Sequence, residues 1–243
     1  MPAAMAWGRK KRGAKRAGLA RAGAWIFRAI VAFIGISVAW VLIYRFVPPP
    51  ITLTMMGEWT QGRSVTKDWM PLSRIDRNMA RAAIAAEDSR FCSHWGFDLD
   101  AIRDAAERNA AGKRLRGAST ISQQTAKNAF LWQGRSWVRK GLEAWFTLLI
   151  EAMWPKHRIM EVYLNIAETG IATYGVNAGA KRYFGHDASR LTPMEAARIA
   201  AVLPQPKKRP GVSPSGFTRR YGNSIAARIK VVQRDRLDAC LWR

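Results

Sequence analysis

The sequence predicts a mostly α-helical protein that follows one N-terminal transmembrane helix. Residues 25–47 are mostly apolar and carry no charge between Ala29 and Tyr44, and about 20 apolar residues are enough for a helix to cross a bilayer core. Beyond about residue 71, helical signals follow one another almost without interruption, and the sequence has no internal repeat. The length of 243 residues allows one ordinary domain with an appendage.

The charge balance indicates an anionic partner. The chain has 40 Lys and Arg residues against 17 Asp and Glu residues, which gives a formal net charge of +23. Such a charge is typical of proteins that bind nucleic acid, an anionic membrane surface or a phosphate-bearing substrate. The hydrophobic fraction of 49% excludes a disordered basic tail protein, because a chain of this composition can build a core.

The distribution of the basic residues predicts the topology. The first 24 residues contain seven Lys or Arg residues and no acid, and such a segment stays on the cytoplasmic side of a membrane. The apolar span is long for a signal peptide, and no clear cleavage site precedes Pro48. We therefore expect a basic cytoplasmic tail over 1–24, an uncleaved anchor over 25–47, a linker over 48–70 and a periplasmic domain over 71–243. If the cell is bacterial, the domain lies on the periplasmic face of the inner membrane, and this single-pass arrangement argues against nucleic acid as the partner.

Caps, glycines and prolines divide the exported part into predicted elements. Residues 51–60 alternate enough to suggest a short strand or an extended arm. Helices are expected over 72–90, 98–112, from 119 or 120 to about 131, 137–154, 156–169, 178–184, 192–203 and from about 219 to the C-terminus.

The sequence does not decide whether the two cysteines, Cys92 and Cys240, are free thiols or form a disulfide. An oxidising compartment permits a disulfide between them, but nothing in the sequence indicates that they approach each other. No Cys or His spacing typical of a metal site occurs, so we predict no metal site from the ligand pattern.

The segment from Ile84 to His94 contains the strongest candidate for acid–base chemistry. An Ala-rich run delivers two adjacent carboxylates, Glu87 and Asp88. Helical spacing places Glu87 on a mostly apolar face, where burial would raise its pKa toward that of a usable acid or base. The alternative interpretation is an ordinary surface helix end.

Two further segments suggest an anion site and a second carboxylate. A helix that starts at Ser119 or Thr120 places Gln124, Lys127 and Asn128 on one side, and its N-terminus can bind an anion. The basic residues Lys113, Arg114 and Arg116 precede it; a polar solvated helix face is the alternative. Glu143 lies in the strongly apolar helix over 137–154, either at a helix edge or facing a cleft.

Five blocks together resemble one family, the glycosyltransferase family 51 peptidoglycan polymerases, and within it the monofunctional members. In order, they are E-D-S-R-F-C-S-H-W-G-F-D (87–98), G-A-S-T-I-S-Q-Q-T-A-K-N-A-F (117–130), R-K-G-L-E (139–143), K-H-R-I-M-E-V-Y-L-N (156–165) with G-A-K-R-Y-F-G (179–185), and L-T-P-M-E-A-A-R-I-A-A-V-L-P (191–204). Ala118 replaces a usual Gly. A Lys that is common in the last block is missing at Leu203 or Pro204, and Lys207 and Lys208 follow slightly later.

The resemblance implies a lysozyme-like helical domain that polymerises lipid II into linear glycan strands. The GlcNAc 4-hydroxyl of the acceptor attacks the donor anomeric carbon, undecaprenyl diphosphate leaves, and the configuration inverts. Of the marks of a transpeptidase, K-T-G does not occur, and the one S-x-x-K match (64–67) lies before the five blocks, so we expect no cross-linking activity.

The resemblance also assigns roles to residues. Glu87 would be the general base. Glu143 would be the second catalytic carboxylate, either orienting a Lys or Arg on the diphosphate or binding a divalent cation there (Mg or Mn); no cofactor is otherwise required. Substrate-binding residues would be Asp88, Arg90, His94, Ser119, Thr120, Gln124, Lys127, Asn128, Arg135, Arg139 and Lys140. Expected partners are lipid II, the growing strand, the inner membrane and cell-division or wall-synthesis proteins.

Two other functions fit parts of the sequence. A lytic, lysozyme-like glycosidase would also use a Glu in a helical domain, but it has no need for a cationic diphosphate site. A membrane-anchored scaffold would use the basic surface alone, and substitutions of Glu87 and Glu143 would then be silent. The Trp residues around 132–154 suggest that residues 97–137 are partly embedded in the membrane, although core packing explains at least two of these Trp residues.

Overall fold

The computed structural model describes residues 3–110, 119–134 and 136–242. Two compact units divide the chain, residues 1–43 and residues 44–243. The described residues are mostly helical, which confirms the predicted fold class.

Apart from α2, the helices follow the predicted order. They are α1 (Ala3–Phe46), α2 (Leu53–Trp59), α3 (Arg77–Glu87), α4 (Leu99–Ala110), α5 (Ile121–Phe130), α6 (Trp137–Met153), α7 (Lys156–Ile166), α8 (Val176–Phe184), α9 (Pro193–Val202) and α10 (Gly216–Arg234). Short 3₁₀ turns cover Leu72–Arg74, Ala188–Arg190 and Ala239–Leu241. Within α1, the segment Arg21–Phe46 is long and apolar enough to cross a membrane.

The prediction of a strand or arm over residues 51–60 is wrong, because α2 occupies this segment. Thr52 caps the helix by accepting a hydrogen bond from the Met55 backbone N–H, and a Thr at the N-cap satisfies a donor that would otherwise be unpaired. Met55 and Glu58 are buried on one side of the helix. The cap and the burial of this face together favour a helix over an extended segment.

A small sheet of three strands lies beside the helices. The strands are β1 (Thr66–Lys67), β2 (Glu168–Gly170) and β3 (Thr173–Tyr174), in the order β1-β3-β2. β1 pairs with β3 in parallel, with Thr66 opposite Thr173, whereas β2 pairs with β3 antiparallel through an irregular register. The sheet fixes the backbone that presents Glu168.

The core brings the end of α3 to the beginning of α5. α3 packs against α9 and α10, and α5 packs against α6 and α7. Most Ala side chains of α3 and all those of α9 are buried, as at Ala83 and Ala197, and such small residues allow the two helices to approach closely. The larger side chains Phe91 and Tyr163 are also fully buried in this core.

A disulfide resolves the state of the cysteines that the sequence left open. Cys92 and Cys240 are bonded, with their Cα atoms 5.6 Å apart, across a sequence separation of 148 residues. Beside the bond, Asp238 accepts hydrogen bonds from Arg81 Nε at 2.9 Å and from Trp242 Nε1 at 2.8 Å. In the chain-entropy account, a loop of this length stabilises the fold by about 5 kcal/mol. The disulfide therefore fastens the segment after α3 to the end of the chain.

Candidate active site

Glu87 is the last residue of α3 and points into a mostly buried setting. Ala83 and Ile84, in the turn before it, have no exposed surface. Glu87 Oε2 accepts a hydrogen bond from Gln124 Nε2 at 2.8 Å. Burial raises the pKa of Glu87, and the hydrogen bond from Gln124 and the charges of Arg209 and Lys127 oppose this rise only in part. A carboxylate with a raised pKa is a stronger base than an exposed one.

Asp88 and His94 form a clamp that holds the segment after α3. His94 Nδ1 accepts from the Gly96 backbone N–H at 3.1 Å, so Nε2 carries the proton and donates to Asp88 at 2.9 Å. Asp88 Oδ2 also accepts from the backbone N–H of Ile121 at 3.0 Å. The clamp therefore connects the end of α3 to the first turn of α5, and this connection places Glu87 opposite Gln124.

The N-terminus of α5 is held by a second set of buried contacts. Thr120 and Gln123 form a reciprocal capping box, and Thr120 Oγ1 donates to the Gly96 carbonyl at 2.6 Å. Gly96 has a φ of +82°, and a Cβ atom there would lie 2.7 Å from Thr147 Cγ2. Only glycine fits this position, and the prediction that Thr120 or Ser119 caps the helix is confirmed for Thr120.

Glu143 and three basic side chains form a cationic cluster, defined here as Lys127, Arg139, Lys140 and Glu143. Glu143 is buried, and its two carboxylate oxygens accept from Arg139 Nη1 at 2.7 Å and from Lys140 Nζ. Arg139 Nε is buried without a hydrogen-bond partner. Burial lowers the pKa of Lys127, the charge of Glu143 opposes this change, and Arg139 and Lys140 add to it. Three cations against one carboxylate favour an anionic ligand.

Two cavities of about 320 Å³ each adjoin the hydrogen bond between Glu87 and Gln124. The first cavity is lined by Glu87 together with Asp88, Arg90, Ser119, Thr120 and Arg228, among others. The second cavity is lined by Gln124 together with Lys127, Asn128, Tyr163, Glu168 and Lys207, among others. The base candidate thus lies at the wall of one cavity and contacts the wall of the other, an arrangement that suits a reaction between two substrates.

Of the remaining predicted site residues, the structure describes some and not others. Arg90 is exposed at the first cavity and pairs with Asp98 at 3.3 Å and with Asp100. Ser119 is exposed at the same cavity. Arg135 and the basic residues Lys113, Arg114 and Arg116 lie outside the described residues. Among the residues that are described, no group of three or more His, Cys, Asp or Glu side chains could hold a metal ion.

The sequence interpretation missed Arg209, which supplies positive charge to Glu87. The guanidinium lies over the rings of Phe217 and Tyr221, 5.1 and 5.6 Å from their centroids, and donates to the Ala201 carbonyl at 2.7 Å. The Tyr221 hydroxyl donates to the carbonyl of Ala86, the neighbour of Glu87, at 3.0 Å. Arg209 lies in a Pro-rich loop, where no periodic pattern predicts its contacts.

The two lysines that follow the last block lie in the same loop as Arg209. Lys207 pairs with Glu58 and lies 3.8 Å from Glu168, and Lys208 is exposed. Arg209, one residue further, is the cation of this loop whose charge lowers the pKa of Glu87.

Comparison with known proteins gives consistent matches over most of the chain. A family model described as Transglycosylase matches residues 54–230. Three similar relatives are each called biosynthetic peptidoglycan transglycosylase. The protein from Caulobacter vibrioides is 49% identical over 83% of this chain and 88% of its own length. That from Xanthomonas campestris pv. campestris (strain B100) is 51% identical over 81% and 82%, and that from Rhodospirillum centenum is 50% identical over 84% and 89%.

Proposed function

The chain belongs to the transglycosylase family and polymerises lipid II into glycan strands of peptidoglycan, and we propose that Glu87 is the general base of this reaction. The observation that carries the proposal is the position of Glu87. It is a desolvated carboxylate at the meeting point of two cavities, and Lys127 of the cationic cluster lines the second one. A glycosyl transfer to a hydroxyl needs a base at the acceptor and positive charge at the leaving group.

In the proposed step, Glu87 takes the proton of the GlcNAc 4-hydroxyl while that oxygen attacks the donor anomeric carbon. The bond from the anomeric carbon to the diphosphate oxygen breaks, and the electron pair leaves with undecaprenyl diphosphate. The configuration inverts, and the proton remains on Glu87 until solvent removes it. The cationic cluster stabilises the negative charge that develops on the leaving group.

Glu143 has a supporting role in this proposal. Both of its carboxylate oxygens already accept hydrogen bonds from Arg139 and Lys140, which supports the interpretation that it orients cations on the diphosphate. A divalent cation would have to compete with both side chains for the same oxygens. The buried Nε of Arg139 is a further donor that an anionic ligand could satisfy.

The other predicted residues divide into two groups in this proposal. Asp88, His94 and Thr120 direct their polar atoms to protein partners, so we assign them the positioning of the site. Arg90 and Ser119 at the first cavity, and Gln124 and Asn128 at the second, are the candidates for substrate contact. Arg135 keeps the role that the resemblance implies.

We further propose that the N-terminus is cytoplasmic and that the domain works at the outer face of the bacterial inner membrane. The seven basic residues before the span support this orientation. Trp95, Leu99, Trp132, Trp137 and Val138 expose large apolar surfaces, with Trp137 92% exposed. This surface supports partial embedding in the membrane, where the lipid tail of the substrate stays. That cell-division or wall-synthesis proteins are partners remains a prediction.

Substituting Arg209 with Ala is expected to move the acidic limb of the pH–rate profile to higher pH. The charge of Arg209 lowers the pKa of Glu87, so its removal raises that pKa, and a base works only when it is ionised. Arg209→Lys keeps the charge and should move the limb less. Lys208→Ala, which removes an exposed neighbouring charge, is the matched control. If the limbs of Arg209→Ala and wild type coincide, Arg209 does not act on Glu87.

Product analysis tests the proposed function against its rivals. The purified full-length chain is incubated in detergent with labelled lipid II, and the products are separated by glycan length. A ladder of glycan strands is the expected result. Shortening of finished peptidoglycan without a ladder would indicate a lytic enzyme, and neither product would indicate a scaffold.

A further inference from the structure

We propose that the disulfide between Cys92 and Cys240 positions the catalytic carboxylate, so that the rate of polymerisation depends on the oxidation state of these two cysteines. The proposal rests on the proposed function, because it takes Glu87 as the base and places the domain outside the cytoplasm. Neither cysteine is among the described residues that line the two cavities. The two cysteines are therefore positioning residues that act on the site from outside it.

The loop 88–98, between α3 and α4, carries the groups that hold Glu87 in place. It consists of turns and bends, yet it contributes Asp88 and His94, the two residues of the clamp. Through Asp88 the clamp attaches the loop to α5. Lys156 Nζ of α7 donates to the His94 carbonyl at 2.7 Å and attaches the loop a second time. All of these contacts are non-covalent, and a loop held only in this way can open locally.

The disulfide gives the loop its covalent attachment. Cys92 follows Glu87 by five residues, and the bond connects it to the C-terminal segment. That segment is itself fixed on α3, since Asp238, which is 4% exposed, accepts from Arg81 Nε at 2.9 Å. The loop is thus joined to a segment that is anchored on the same helix that ends at Glu87. We expect this connection to limit the movement of the clamp and of Glu87.

The bond is accessible in the folded chain. Both cysteines are partly exposed, so a small thiol reagent has access to the sulfurs without unfolding of the core. The residues next to them in the chain, Phe91 and Leu241, are buried, and their packing does not depend on the bond. Reduction therefore frees the loop while the core around it stays in place.

Formation of the bond requires an oxidant, and the disulfide of a thiol–disulfide oxidoreductase is the class that fits an exported chain. The thiolate of one cysteine attacks that disulfide, and the thiolate of the other cysteine then displaces the oxidoreductase from the mixed disulfide. In the net reaction the two cysteine thiols lose two electrons and two protons, and the acceptor disulfide gains both as a dithiol. Thiols stay reduced in the cytoplasm, so the chain reaches its full rate only after export.

Polymerisation of labelled lipid II by the purified chain in detergent is measured before and after mild reduction with dithiothreitol. Free thiols are counted from the mass added by a maleimide. Reduction is expected to lower kcat by about tenfold, within the loss of up to about 10² that a misplacement of about 1 Å causes. The affinity for undecaprenyl diphosphate should not change, because the cationic cluster lies on α5 and α6. Reoxidation with oxidised glutathione should restore the rate.

Three variants separate positioning from stability. Cys92→Ser and Cys240→Ser should each show the low rate of the reduced chain with or without dithiothreitol, and reoxidation should not restore it. Leu191→Ala is the control for stability, because it keeps the disulfide and removes a side chain that is 1% exposed. The cavity that it leaves lowers the melting temperature. Below that temperature, its kcat should equal that of the wild type.

Three outcomes would overturn the proposal. The first is a folded chain with both thiols free that polymerises at the rate of the oxidised chain. The second is a loss of kcat in Leu191→Ala as large as that on reduction, because lower stability would then be sufficient. The third is an equal loss of affinity for undecaprenyl diphosphate on reduction, because the whole site would then be loosened. Failure of the base assignment is separable, because Glu87→Gln would then polymerise at a rate near wild type, and the comparison of reduced and oxidised chains does not use that variant.

Discussion

Glu87→Gln is expected to lower the rate of lipid II polymerisation by about 10²–10⁴-fold, the usual contribution of a positioned general base. The amide of Gln has the same shape and can still accept the hydrogen bond from Gln124, so the fold and the binding of lipid II should be retained. The amide cannot take the proton of the acceptor hydroxyl. The rate is measured from the loss of labelled lipid II, and binding is measured separately on the same protein.

Glu107→Gln provides the control for this substitution, because Glu107 is exposed and pairs only with Arg103 in the described contacts. It should leave the rate unchanged. Polymerisation by Glu87→Gln at a rate near wild type would contradict the assignment of the base. A loss of both rate and binding would instead indicate that Glu87 has a structural role.

Lys127→Ala is expected to weaken the binding of undecaprenyl diphosphate by about 10–100-fold, the usual range for a charged hydrogen bond. Lys127 is partly buried, and its charge interacts with those of Glu143, Arg139, Lys140 and Glu87. Because the site is partly desolvated, solvent screens this charge less than it screens a surface lysine. Affinity for the labelled lipid in detergent micelles is the measurement.

Two variants make the Lys127 result specific. Lys127→Arg retains the charge and should recover much of the affinity, whereas Lys208→Ala removes an exposed charge and should have little effect. An affinity that does not change in Lys127→Ala would show that Lys127 stabilises the fold and does not hold the diphosphate.

The parts of the site that the sequence predicted are those that one helix or one turn determines. Glu87 ends an Ala-rich helix, and Gln124 and Lys127 follow one cap at Thr120. In these segments, spacing alone fixes which side chains share a face. The order of the helices was predictable for the same reason, because caps and glycines are local signals.

The parts that the sequence did not predict depend on contacts between distant segments. Arg209 acts on Glu87 from a Pro-rich loop 122 residues later in the chain, and its position depends on the rings of Phe217 and Tyr221. Tyr163 reads as an ordinary core residue of α7, and only the packed structure shows that its hydroxyl is unpaired. The helix α2 was mistaken for an extended segment because seven residues give too weak a period.

The pH dependence of polymerisation by the wild-type chain tests the central claim most directly. Burial raises the pKa of Glu87 above its ordinary value of 4.5, and only the ionised carboxylate accepts the proton. The account predicts a rate that falls as the pH decreases through this raised pKa, with the midpoint of the limb above pH 4.5 while the fold remains intact. A rate that stays constant below pH 4.5 in the folded protein would contradict the claim that Glu87 is the base.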